Sequence, residues 1–194
     1  MLIDYILNNA KDRYKTFQGK KIFCGESCKE CTNTQCNEKN CYNCLRSIHW
    51  PQRAREEGLP PREYDCVNMA DYYVLQFGLR YASEILYAWG NAEQDRKYEM
   101  SVLSIGCGPC TDLFAFDYLL QKKQIASLKY YGTDLNYKGV WSRLHNCIKN
   151  YPQKKYEVHF NYENADNIFN KLDDSGIIPN VIVFQYVFSD MVNR

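Results

Sequence analysis

The chain has 194 residues, room for one full domain or two small ones, and 45% of them are apolar, enough for a sizeable core. With a net charge of +1 and neither half strongly basic or acidic, composition argues neither for nor against a nucleic-acid partner. No apolar run is long enough to span a bilayer and the N-terminal MLIDYI lacks a signal-peptide pattern, so the expectation is a cytoplasmic protein without a membrane partner.

Residues 1–20 predict a short amphipathic helix, with Leu2, Ile3, Tyr5, Ile6 and Leu7 as its apolar positions. Residues 24–66 hold seven of the ten cysteines and little else that builds a core. In a reducing compartment such a cluster binds metal more often than it forms disulfides. The spacing is Cys24-x3-Cys28-x2-Cys31-x4-Cys36-x4-Cys41-x2-Cys44, followed by His49 and Cys66. Two Cys-x2-Cys knuckles, Cys28/Cys31 and Cys41/Cys44, let both thiolates of a knuckle reach one tetrahedral ion, which points to structural zinc. The eight candidate ligands match two four-coordinate sites, or one site with spare cysteines. Metal would supply folding energy that so few apolar side chains cannot. Arg46, Arg53, Arg55 and Arg62, with His49 and Trp50, predict an irregular basic surface or a solvated loop over the zinc module, its charge diluted by Glu56, Glu57 and Glu63.

Residues 67–90 predict a long helix with a wide apolar face, ended by Gly90 and Asn91. From residue 100 onward strands and helices alternate. Strands are predicted at 101–105, 128–134, 156–160 and 181–188, and helices at 111–122, 138–150 and 165–172. The order βαβαβαβ predicts an α/β fold with a doubly wound, mostly parallel sheet, its ligand at the carboxyl ends of the first strands. The expected organisation is an N-terminal helix and zinc module over 1–66, then a Rossmann-like domain over 67–194. Such sheets usually carry more than four strands. The exposed apolar last strand therefore predicts either a fragment or a partner chain along that edge.

The run SVLSIGCGPCTD (residues 101–112) is a buried strand, a tight glycine turn and a helix start. A nicotinamide or flavin fingerprint needs glycine at its first, third and sixth positions; counted from Gly106 the sixth is Thr111, so the third glycine is missing. The run is instead similar to the first motif of the class I S-adenosylmethionine-dependent methyltransferases, a strand and an acidic residue followed by Gly-x-Gly-x-Gly. Ser104 stands at the usual acid and Cys110 at the usual third glycine. YYGTD (130–134) resembles the second motif, whose acid, here Asp134, accepts from both ribose hydroxyls. Asn164, Ala165 and Asp166 resemble the third, which reads the adenine amino group, and QYVFSD (185–190) falls where the family lines the transferred methyl group.

The resemblance covers residues 67–194. It implies a cofactor site of Gly106, Cys107, Gly108, Asp112, Asp134, Leu135, Ala165, Asp166 and Gln185, in which Asp112 serves the methionine amino group. It also implies that Tyr72 and Tyr73 lie over the cofactor or pack in the core. The implied activity is methyl transfer to an acceptor of unspecified class: RNA, protein or small molecule. No Asp/Asn-Pro-Pro-Tyr/Phe run follows the fourth strand, which argues against amino-group methylation of bases, and no catalytic residue is identified. The zinc module would recruit the substrate. A different class of reading is a non-catalytic interaction module that keeps the fold. Cys24-x3-Cys28-x2-Cys31 also matches the cluster spacing of radical S-adenosylmethionine enzymes, but Glu30 stands at their aromatic position and no barrel pattern follows.

Overall fold

The computed structural model describes residues 1–17, 38–59, 62–92, 98–135 and 139–185, with backbone alone for 14–17, 38–40, 165 and 166. The candidate ligands Cys24, Cys28, Cys31 and Cys36 lie outside the described residues. Four helices precede the sheet: α1 (Leu2–Phe17), α2 (Glu38–His49), α3 (Pro51–Glu56) and α4 (Val67–Asn91). Then follow β1 (Glu99–Ile105), α5 (Thr111–Gln121), β2 (Ser127–Thr133), α6 (Ser142–Lys149), β3 (Glu157–Asn161), α7 (Ala165–Asp174) and β4 (Val181–Val183).

All four strands are parallel, in the order β3-β2-β1-β4. β1 is central and reads as a nearly continuous buried run, as expected of a parallel strand covered on both faces. The chain leaves β1 toward β2 and β3, then returns to place β4 on the other side. The order therefore reverses between β1 and β4, and the crevice outside their carboxyl ends is where such sheets bind ligands.

One face of the sheet carries Met100, Val102, Leu128 and Tyr130, packed under α1, α4, α5 and α6. In α1, Leu2, Ile6 and Ala10 are fully buried, one stripe at helical spacing. The first helix thus contributes to the core of the α/β unit. α5 is apolar nearly all round because it is wedged among the sheet, α1 and α4. The opposite face carries Leu103, Ile105 and Tyr131 under Ile168 and Leu172 of α7.

A buried ionic joint fixes the upper layer. Asp71 of α4 is fully buried and receives Arg13 of α1, Nη2 at 2.7 Å and Nε at 3.1 Å, together with Arg143 of α6. One carboxylate between two guanidiniums ties three helices together and keeps its charge compensated away from water.

The cysteine-rich stretch contains more regular structure than its composition predicts. Residues 38–49 and 51–56 are helical, so the first half of the 46–62 stretch expected as irregular surface or solvated loop is regular. Cys41, Leu45 and Ile48 recur at helical spacing and pack on Met69, Tyr72, Tyr73 and Tyr81 of α4. The predicted basic surface is also reduced: Glu57 pairs with both Arg46 and Arg53. No described helix is long and apolar enough to cross a membrane.

Candidate functional site

The turn between β1 and α5 is built from left-handed residues. Gly106, Gly108 and Cys110 have φ of 64°, 45° and 61°. Glycine adopts this region freely, whereas a side chain there costs about 1–2 kcal/mol. Position 110, where the motif usually has its third glycine, therefore takes the glycine conformation while carrying a thiol. The turn is closed by Cys110 N–H donating to the Cys107 carbonyl at 2.7 Å. It is pinned to the end of β2 by Cys107 N–H donating to the Thr133 carbonyl at 3.0 Å.

Asp134 stands just past β2, half-buried, and its Oδ2 accepts from Gly108 N–H at 2.9 Å. The turn and the acid thus share one rim of the crevice. Leu135 beside it is 55% exposed. Gln185, just after β4, donates through Nε2 to the Tyr81 carbonyl at 2.9 Å and accepts at Oε1 from the Thr111 hydroxyl at 3.2 Å. It links the last strand to α4 and to the first residue of α5. Ala165 begins α7 after the Asn164 N-cap, with Asp166 next on the backbone.

Asp112 is placed differently from expectation. It is 2% exposed and turned into the core, where its Oδ1 accepts from the Tyr130 hydroxyl at 2.9 Å. Burial pushes its carboxyl above the ordinary range, partly offset by hydrogen bonds from Ser104 and Tyr130. The start of α5 is enclosed by its neighbours Leu113 and Phe114 and by Tyr130, so the carboxylate meets a phenol rather than the crevice.

Four of the expected zinc ligands can be placed: Cys41, Cys44, His49 and Cys66. Cys41 and Cys44 lie one turn apart on α2 and share a cluster with Cys66. The Cys66 sulfur caps α4 by accepting from Met69 N–H at 3.4 Å. His49 Nε2 is 2.5 Å from the Tyr64 hydroxyl, and the imidazole is ringed by Trp50, Tyr73 and Phe77. Tyr72 and Tyr73 are buried in the same aromatic cluster, packing rather than facing the crevice.

Among the described residues, one trio brings metal-ligating atoms within 4.8 Å of one another, and all three members are buried: Cys107, Cys110 and His145. His145 Nε2–H donates to the Gly108 carbonyl at 2.6 Å, and the same oxygen receives the Cys110 thiol at 3.8 Å. The other ring nitrogen, Nδ1, is 3.0 Å from the Tyr162 hydroxyl, and Phe160 stacks on the imidazole at 4.1 Å. Burial raises a thiol, yet hydrogen bonding with Cys107 and the nearby imidazole outweigh it and bring Cys110 down to about 7. Cys107, buried and beside that thiolate, is pushed well up. The sequence places Cys107 and Cys110 in the glycine turn, outside the candidate metal ligands, and does not single out His145. The available signal is His145 between Leu144 and Ile148, on the stripe that faces the sheet.

No protein family, curated protein or solved structure matches this chain.

Proposed function

We propose that this chain binds S-adenosylmethionine and transfers its methyl group to an acceptor. One observation carries the reading: the glycine turn after β1 and Asp134 after β2 meet through the Gly108–Asp134 hydrogen bond, at the point where the parallel strand order reverses. In this reading Asp134 accepts the ribose hydroxyls, and the backbone of Gly106, Cys107 and Gly108 approaches the cofactor where a Cβ would intrude. Leu135, Ala165 and Asp166 border the adenine, and Gln185 lies toward the transferred methyl. The cofactor's sulfonium supplies the reactive methyl; the protein holds acceptor and donor in line and keeps water out.

The cysteine-rich segment belongs to the same proposal as a structural zinc module that helps recruit substrate. Its ligands are drawn from Cys24, Cys28, Cys31, Cys36, Cys41, Cys44 and His49, whose bond to Tyr64 involves one ring nitrogen; Cys66 is left out because it caps α4. A protein partner along β4 is favoured by a groove of about 530 Å³ between α4 and β4, bordered by Ile85, Trp89, Ile182 and Phe184.

Calorimetric titration with S-adenosylhomocysteine tests the reading. Micromolar binding by the full chain, lost on Asp134→Ala, is the expected result. Absence of binding to folded protein, or equal binding by the variant, overturns it and leaves the interaction module as the better account.

A further inference from the structure

We infer that the glycine turn itself contains a metal site, in which Cys107, Cys110 and His145 bind a thiophilic divalent cation, zinc in the cell. It is separate from the cysteine-rich segment and does not depend on the methyl-transfer reading.

The donor set comes first. Two sulfurs and an imidazole nitrogen, all mutually within 4.8 Å and all buried, are the ligand types that zinc prefers. The two cysteines come from one turn and the histidine from α6, an element more than thirty residues later, so their convergence is a product of the fold and not of spacing.

Two further observations point the same way. Cys110 holds a left-handed backbone conformation at φ 61° that glycine would adopt without strain, so the fold tolerates a local cost to keep a sulfur there. On β2, a Cβ at Gly132 would come within 3.0 Å of Cys107 Sγ, the Phe160 ring and the Tyr130 ring. Glycine at that position lets the sulfur and the two rings close in without having to give way.

The surroundings complete the site. Tyr162 holds His145 Nδ1, an outer contact of the kind that orients a metal-bound imidazole. The Gly108 carbonyl, on which His145 and Cys110 already converge, is the nearest placed oxygen donor for a further coordination position. On binding, the metal takes the place of the two thiol protons, which go to solvent, while His145 binds as neutral imidazole through Nε2 with its one ring proton moved to Nδ1, where it donates to the Tyr162 hydroxyl. The bound ion clamps the β1–α5 turn to α6 and so sets the rim of the crevice.

The test compares metal content of the purified full chain with that of Cys110→Gly. Glycine relieves the strained backbone, so this variant keeps its fold, to be checked by circular dichroism. The expected result is one fewer equivalent of zinc per chain, with the equivalents held by the cysteine-rich segment unchanged. A second measurement uses cobalt alone as probe. The difference spectrum between cobalt-loaded parent and Cys110→Gly is expected to carry thiolate-to-metal charge transfer, and His145→Ala is expected to weaken it. Equal zinc content in parent and Cys110→Gly overturns the inference. So does a Cys107–Cys110 disulfide found by peptide mapping of protein alkylated during lysis, which would make the pair a redox couple instead.

Discussion

The chain contains two Cys-x2-Cys pairs that can be placed, and they meet different fates. Cys41 and Cys44 sit on a regular helix, where a three-residue separation puts both side chains on one face. That face packs on α4, in one cluster with Cys66. Cys107 and Cys110 flank Gly-Pro in a turn of left-handed residues, which folds the two sulfurs toward each other and toward α6. The same spacing sets two thiols on a helix face in one backbone and turns them toward a buried histidine in another. Backbone conformation and a third partner from elsewhere in the fold decide which.

The joint between these two regions is Asp71, which sits on the helix that receives α2 and grips Arg143 on the helix that carries His145. Asp71→Ala leaves two guanidiniums without their buried counter-charge. It is expected to lower stability by about 3–5 kcal/mol in urea unfolding, loosening both regions together. A loss well below 1 kcal/mol would mean that the two regions are held by packing alone.

A smaller effect is expected at the floor of the turn cluster. Gly132→Ala forces a methyl against Cys107 Sγ and two rings at 3.0 Å, costing about 1–3 kcal/mol. Its more telling readout is zinc retention in a chelator competition, which should weaken because Cys107 is displaced. Unchanged retention would show that Cys107 does not need the space above Gly132.

The smallest effect separates capping from ligation in the helical region. Serine is a good N-cap, so Cys66→Ser is expected to change thermal stability by less than about 1 kcal/mol and to leave zinc content as in the parent. Loss of a zinc equivalent would return Cys66 to the ligand set.

Much of the α/β half was legible. The strands at 101–105, 128–134 and 156–160 appear within a residue or two of their predicted positions, the first two because a buried parallel strand is a short, dense apolar run. The helix over 67–90 was equally plain, because its apolar positions recur over many turns. The helices at 38–56 were not, because cysteines in a ligand-like pattern hid the stripe of Cys41, Leu45 and Ile48. Described residues extend β4 only to Val183, where a longer strand was expected.

The sequence by itself determined that a glycine turn follows the first strand, that Asp134 ends the second, and that the sheet is parallel. Each of these rests on residues adjacent in the chain, whose conformational limits are local. Only the tertiary structure decided that Asp112 turns to Tyr130, that Asp71 joins three helices, and that His145 reaches Cys107 and Cys110. The last of these depends on α6 packing beside the turn and on the space left at Gly132. No periodicity or spacing encodes a contact between side chains on different elements.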